Sequence, residues 1–164
     1  MSESEISSLY FEIQSIAQRT VHQFISNQFI DKYGISISIF VGIKKLINKS
    51  KIKNPFLLID GNYNFKEKQK SYNFFFDYLS IVKGDSKIIS IAAASIIAKY
   101  KRDEYMNSVA KKFNIYGFEK HKGYGSKFHI DQIKKYGYSK LHRKSFKIKE
   151  IENANSSNSK PNQT

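Results

Sequence analysis

Apolar positions near the start of the chain recur in a helical rhythm. Ile6, Leu9, Tyr10, Ile13, Ile16 and Ala17 fall on one face, with acidic residues in the first turn, so the pattern predicts an amphipathic helix over residues 4–17. The next stretch, TVHQFIS, reads as a strand. GISISIFVGIKKLI fits two periods. Ile35, Ile37 and Ile39 alternate as in a strand, whereas Ile35, Ile39, Ile43, Leu46 and Ile47 fit a helix. Its length favours the helix, with Gly34 preceding the start.

Residues 54–61, NPFLLIDG, carry an unbroken apolar run between Pro55 and Gly61. Such a run predicts a short strand buried on both faces, as in a parallel sheet. Asp60 stands at its carboxyl end, where open α/β sheets place their ligands. A Lys-rich loop through about residue 72 leads to a second strand within FFFDYLSIVKGD, closed by Gly84 and Asp85. SIAAASIIAKYKRDEYMNSVAKKF predicts a helix, apolar and small at first, whose alanines allow close approach to a sheet. Ser126 is placed to cap a further helix, SKFHIDQIKKY, which Gly137 ends. Strands alternating with helices predict an α/β domain over residues 1–149, with a sheet that looks incomplete. Residues 150–164, without apolar periodicity, predict a disordered tail.

Charge narrows the class of partner. The 28 Lys and Arg outnumber 14 Asp and Glu, for a formal net charge of +14. Such a field attracts polyanions, nucleic acid foremost, although an AT-rich genome inflates Lys, Asn, Ile, Phe and Tyr as well. The absence of cysteine excludes disulfides and Cys-based zinc sites. No apolar run reaches the roughly 18–20 residues that cross a bilayer, and MSESEISSLY is unlike a secretory leader. A cytoplasmic protein that does not engage membranes is expected.

Several residues invite chemistry, each with a plainer alternative. Asp60 is placed to hold a hard divalent cation, or to form an Asp-Gly turn. Asp85 has the same prospect, with helix capping as the alternative. Asp103, beside Arg102, reads as a helix-surface ion pair. His22 and His129 read as packing or surface residues, and His121 and His142 lie in basic loops within reach of phosphate. Tyr124, between Gly123 and Gly125 in HKGYGSKFH, suits stacking on a sugar or base, with neighbouring lysines on phosphates. A turn whose ring folds onto the protein is the alternative.

The runs LLIDG, VKGDSKIISIAAASIIAKYKRDEYM, YGFEKHKGYGSKFH and YGYSKLHRKSF follow one another from residue 57 to 146. In that order they resemble the motifs of ribonuclease HII, the type 2 RNase H family. The resemblance implies an RNase H-like fold: a mixed sheet flanked by helices, with a C-terminal helical extension. It implies hydrolysis of the RNA strand of RNA–DNA hybrids, including a single ribonucleotide embedded in duplex DNA, with Mn²⁺ or Mg²⁺, by a monomer. By the same resemblance Asp60 and Asp85 are active-site, metal-binding carboxylates. Tyr124 lies against the sugar at the RNA–DNA junction and Lys122 neighbours it on the phosphates. Asp103 matches the pattern too and is assigned a structural role.

The family pattern also begins with a strand carrying an Asp-Glu pair, a Gly-Arg-Gly segment, two more strands and an Asp-Ser-Lys-Lys stretch. MSESEISSLYFEI resembles the point just after these. The expectation is that Met1 is an internal methionine of a longer protein; a frameshifted remnant and a real shortened product are the alternatives. With two of four carboxylates, the 164 residues alone are expected to be insoluble or nearly inactive. A non-catalytic basic module that binds nucleic acid is the runner-up reading.

Overall fold

The structure is a computed structural model and describes residues 1–146 and 148. The predicted tail lies outside the described residues. The chain divides into two compact units, one of residues 1–25 and 33–102, the other of residues 26–32 and 103 onward.

In the first unit, helix α1 (Glu3–Ile16) opens with a reciprocal cap. Ser2 Oγ accepts from the Glu5 N–H and the Glu5 carboxylate accepts from the Ser2 N–H. Residues 20–26 form neither helix nor strand. Side-chain bonds tie this stretch to the end of the next helix: Lys49 donates to the His22 carbonyl at 3.0 Å, and Arg19, just before it, donates to the Ser50 carbonyl. A strand needs a partner ladder, and this segment has side-chain tethers in its place. Helix α2 (Asn27–Ser50) is broken at Gly34, whose φ of 77° and ψ of 166° leave the helical region. The GISISIFV stretch is therefore helical after Gly34, and a short helical segment precedes it.

Strands β1 (Phe56–Asp60) and β2 (Asp77–Ile81) are parallel, with Leu57 opposite Tyr78 and Leu58 opposite Leu79. Helix α3 (Lys66–Ser71) lies in the crossover between them. Only these two strands occur among the described residues, so the sheet seen is parallel rather than mixed. The expectation of burial on both faces of β1 also fails. On one face, the Tyr78 hydroxyl accepts from the Phe65 N–H at 2.8 Å and Ser80 donates to the Tyr63 carbonyl at 3.0 Å. On the other, Phe56 is 64% exposed and Leu79 51% exposed. An apolar run reports that a strand can be covered twice; here the residues 63–65 segment covers one side.

The core of this unit is aromatic. Phe40 and Phe65 are the largest fully buried side chains, and Phe40 packs on Phe65, Tyr72, Phe74 and Phe76. Phe74 and Phe76, predicted to be part of the strand, belong to this cluster instead. Helix α4 (Ile89–Ala110) follows the KGD turn, and its alanines line an apolar groove facing α1.

The second unit packs Val109, Ala110, Tyr116, Phe118 and Ile133 into its core, with Met106, Phe113 and Leu141 against them. These come from the end of α4, a tight turn at Asn114–Tyr116, helix α5 (Phe118–His121) and helix α6 (Lys127–Tyr136). Ser126 caps α6 by accepting from the His129 N–H, and Gly137 follows with φ 76°, as the sequence predicts. The Tyr116 hydroxyl donates to the Gly137 carbonyl at 2.9 Å. Asp31 accepts from the Lys144 and Ser145 N–H groups, and Asn27 donates to the carbonyls of Lys140 and His142. Together these bonds fix the HRKSF segment. The Ser145 hydroxyl, then the Ser145 and Lys144 N–H groups, lower the Asp31 pKa below its ordinary value.

Candidate functional site

In the first unit, the two candidate carboxylates lie at the carboxyl ends of neighbouring strands. Asp60 is the last residue of β1, and its Oδ1 accepts from the Gly84 N–H at 2.8 Å. The ladder continues past it, with the Gly61 N–H donating to the Ile81 carbonyl at 2.9 Å. Asp85 lies in the tight helical turn Gly84–Ser86 that follows β2, entered through Lys83 in the left-handed region at φ 54°. Gly84 is buried, and a Cβ there would stand 2.7 Å from Ile91 Cδ1 and 3.5 Å from Asp60 Oδ1. A side chain there would have to displace the tip of Ile91, while its approach to Asp60 would be an ordinary contact.

Both carboxylates are exposed. Carboxylate oxygens are the donors that hard cations prefer, and Mg²⁺ is held through one or two carboxylates plus substrate phosphates. The donor chemistry at Asp60 and Asp85 fits such an ion. Among the described residues no cluster of three or more His, Cys, Asp or Glu is arranged to hold a metal, so the fit rests on these two.

In the second unit, the Tyr124 backbone is held on both sides. Its N–H donates to the His121 carbonyl at 2.8 Å, and its carbonyl accepts from the Ser126 N–H and from His129 Nδ1, each at 2.9 Å. Gly123 takes φ 84°, a region a side chain would strain. The ring itself is 65% exposed. Lys122 is placed unlike a phosphate-facing lysine: it is 8% exposed, and its Nζ donates to Asn107 Oδ1 and the Glu119 carbonyl. Lys120 and Lys127, on either side, are exposed.

The histidines depart furthest from expectation. His121, His129 and His142 come together, with His121 stacked on His129 at 4.2 Å and His129 Nε2 2.9 Å from His142 Nε2. Burial lowers the His129 pKa, and burial, then the nearby His129, push His142 down to about 4. His142 is therefore neutral near pH 7 and is not a phosphate-binding cation. No spacing rule marks residues 121, 129 and 142 as neighbours. Asp103 is partly buried with Oδ1 shielded from solvent, which a purely surface carboxylate would not be.

The family model described as Ribonuclease HII matches residues 1–149. Ribonuclease HII of Chloroherpeton thalassium is 45% identical over 124 residues, covering 76% of this chain and 58% of that protein. That of Endomicrobium trichonymphae is 38% identical over 146 residues, 89% of this chain and 67% of the relative. That of Francisella tularensis subsp. holarctica is 40% identical over 147 residues, 90% and 75% respectively. The chain spans less than two thirds of the length of several curated relatives it matches.

Proposed function

The chain belongs to the ribonuclease HII family, and from that premise we propose that it acts as a ribonuclease H-type endonuclease. Its substrate is the RNA strand of RNA–DNA hybrids, including single ribonucleotides embedded in duplex DNA, met in the cytoplasm by a monomer. The observation that carries the reading is the 2.8 Å bond from the Gly84 N–H to Asp60. It joins a carboxylate at the end of one strand to the turn that bears a second carboxylate after the neighbouring strand.

In this reading Asp60 and Asp85 hold the divalent cations, Mn²⁺ or Mg²⁺. Bound there, such ions stabilise the attacking water and the leaving 3′-oxygen of an in-line displacement at phosphorus. The chain's own contribution is positional. The Gly84 N–H occupies one lone pair of Asp60 Oδ1 and orients the rest of the carboxylate outward. The bareness of Gly84 leaves room for the tip of Ile91 beneath the Asp85 turn. Two carboxylates make a weak cation site, so cleavage by this chain rises with cation concentration and stays slow at low concentration.

Tyr124 lies against the sugar beside the ribonucleotide, where a ring pressed close favours a sugar lacking the 2′-hydroxyl. Its exposed ring on a fixed backbone supports this role. Lys122 serves the nucleic-acid loop from within, bracing it through Asn107 and Glu119, while Lys120 and Lys127 meet phosphates. Asp103 keeps a structural role. The test is cation-dependent cleavage of a duplex carrying one ribonucleotide: Asp60→Asn lowers it by more than about a hundredfold, and Tyr124→Ala weakens the junction preference. Unchanged cleavage in Asp60→Asn refutes the carboxylate assignment.

A second reading, a basic module that binds nucleic acid without cutting it, draws on the net charge of +14 and on the second unit, which holds the Tyr124 loop by its own bonds. Under it, Asp60→Asn leaves affinity for hybrid intact or improved, and no cation yields product.

A further inference from the structure

The three clustered histidines are used at every ring nitrogen. His121 Nδ1 faces the Gly123 N–H at 3.1 Å and its Nε2 faces the Tyr116 carbonyl at 2.7 Å. His142 Nδ1 faces the Ser139 N–H at 2.9 Å, and its Nε2 faces His129 Nε2 at 2.9 Å. His129 Nδ1 faces the Tyr124 carbonyl at 2.9 Å. Carbonyls only accept and backbone N–H groups only donate, so each tautomer follows from its partners. His121 carries its proton on Nε2. His129 carries its proton on Nδ1, which makes its Nε2 an acceptor. His142 then donates from Nε2 and accepts at Nδ1.

We propose that His121, His129 and His142 are positioning residues that clasp the Tyr124 loop, and that the clasp holds only while the three imidazoles are neutral. A further proton has to land on a nitrogen that is already accepting. On His121 or His142 it would point at a backbone N–H; on His129 it would point at the His142 N–H. On His121 and His129 this turns an attraction into a donor–donor clash and breaks a bond of the clasp; on His142 it breaks the Ser139 N–H bond, with the Ser139 hydroxyl, 2.8 Å from Nδ1, turning to accept the proton.

The surroundings reinforce this. His129 is buried, the Phe118 ring packs on all three imidazoles, and the Tyr116 and Tyr138 rings pack on His142. The ionisable groups acting on His129 and His142 are the other imidazoles, so charge on one opposes charge on the next. On the flanking elements Glu119, Lys120, Asp131, Lys140 and Arg143 are exposed, Lys122 is bonded to Asn107 and the Glu119 carbonyl, and Asp31 is bonded to Lys144 and Ser145. Burial lowers His129 and holds His142 near 4, which keeps the clasp closed at neutral pH. The consequence for sugar recognition rests on the role proposed for Tyr124; the clasp itself does not.

The chain contains no tryptophan, so Tyr124→Trp puts a single, selectively excitable tryptophan at the exposed loop tip. Its anisotropy is followed without nucleic acid from about pH 8 to about pH 3, from above the ordinary histidine value to below that of His142, with far-UV circular dichroism in parallel. The clasp predicts a fall in anisotropy below pH 6.5 that precedes any loss of helix signal. Adding His129→Asn, whose amide keeps a donor for the Tyr124 carbonyl but takes no proton, shrinks that fall by about half or more. A flat profile down to the pH of unfolding, or an undiminished fall with His129→Asn, overturns the proposal. Should the variants not fold, imidazole ¹⁵N shifts of the unsubstituted chain decide it. Neutral rings with the proton on Nδ1 of His129 and on Nε2 of His121 and His142 support the clasp, and a charged ring or a reversed tautomer at pH 7 overturns it. Because no substrate is present, failure here is distinct from failure of the nuclease reading.

Discussion

The two units hold their functional side chains in opposite ways. In the first, Asp60 and Asp85 stand exposed at the end of a two-stranded sheet, joined through one bond from the Gly84 N–H, beside strands whose Phe56 and Leu79 face solvent. In the second, the backbone of Tyr124 is bonded at its N–H and twice at its carbonyl, over a core that includes Phe118 and Ile133. Two-stranded sheets are marginal without a covering layer, whereas the second unit satisfies its loop from its own residues. The difference teaches that a short polar loop can be better fixed than a strand end. What counts is how many buried partners each backbone group finds.

The strongest way to break the comparison is to empty the first unit's core. Phe40→Ala removes a fully buried ring packed among Phe65, Phe74 and Phe76 and is expected to cost about 3–5 kcal/mol. Denaturant unfolding reads the loss. If the second unit is self-sufficient, amide protection in α6 outlasts that in β1 and β2; simultaneous loss of both ends the contrast.

Acid attacks the other unit. The His142 pKa is pushed below its ordinary 6.5 to about 4, so the unfolded chain binds more protons between those values. Stability from this group is complete above about pH 6.5 and declines as pH falls toward 4. His142→Gln flattens that slope. A melting temperature that rises on acidification through the same window contradicts the assignment.

How much of this was legible in the sequence depends on how local each signal is. Ser126 and Gly137 marked the ends of α6 because caps act over three residues. NPFLLIDG and KGD located β1, Asp60 and the Asp85 turn, since strand ends and glycines mark themselves. TVHQFIS misled because its composition suits a strand while the His22 carbonyl takes its bond from the Lys49 side chain. Lys122 and the histidines were illegible for a related reason: inward orientation is set by partners such as Asn107 and Ser139, which lie elsewhere in the chain. The exposed side of the sheet was hidden too, because apolar sequence states a capacity for burial and not its fulfilment.

Two smaller effects sharpen the contrast. Tyr116→Phe deletes the hydroxyl bond to the Gly137 carbonyl and costs about 1 kcal/mol in the second unit. Leu79→Lys, on the open face of the sheet, changes stability by only about 0.5 kcal/mol while raising the soluble fraction after centrifugation. A large destabilisation by Leu79→Lys would mean that the face is covered.

The most direct test of the central claim is cleavage of a duplex DNA bearing one ribonucleotide, measured against Mn²⁺ and Mg²⁺ for the chain and for Asp60→Asn. The account predicts strand scission at the ribonucleotide that grows with cation concentration and disappears in the variant, with hybrid affinity retained. Equal scission by both proteins would contradict the placement of the chemistry at Asp60, and binding by both without scission at any cation concentration would contradict the nuclease reading for this chain.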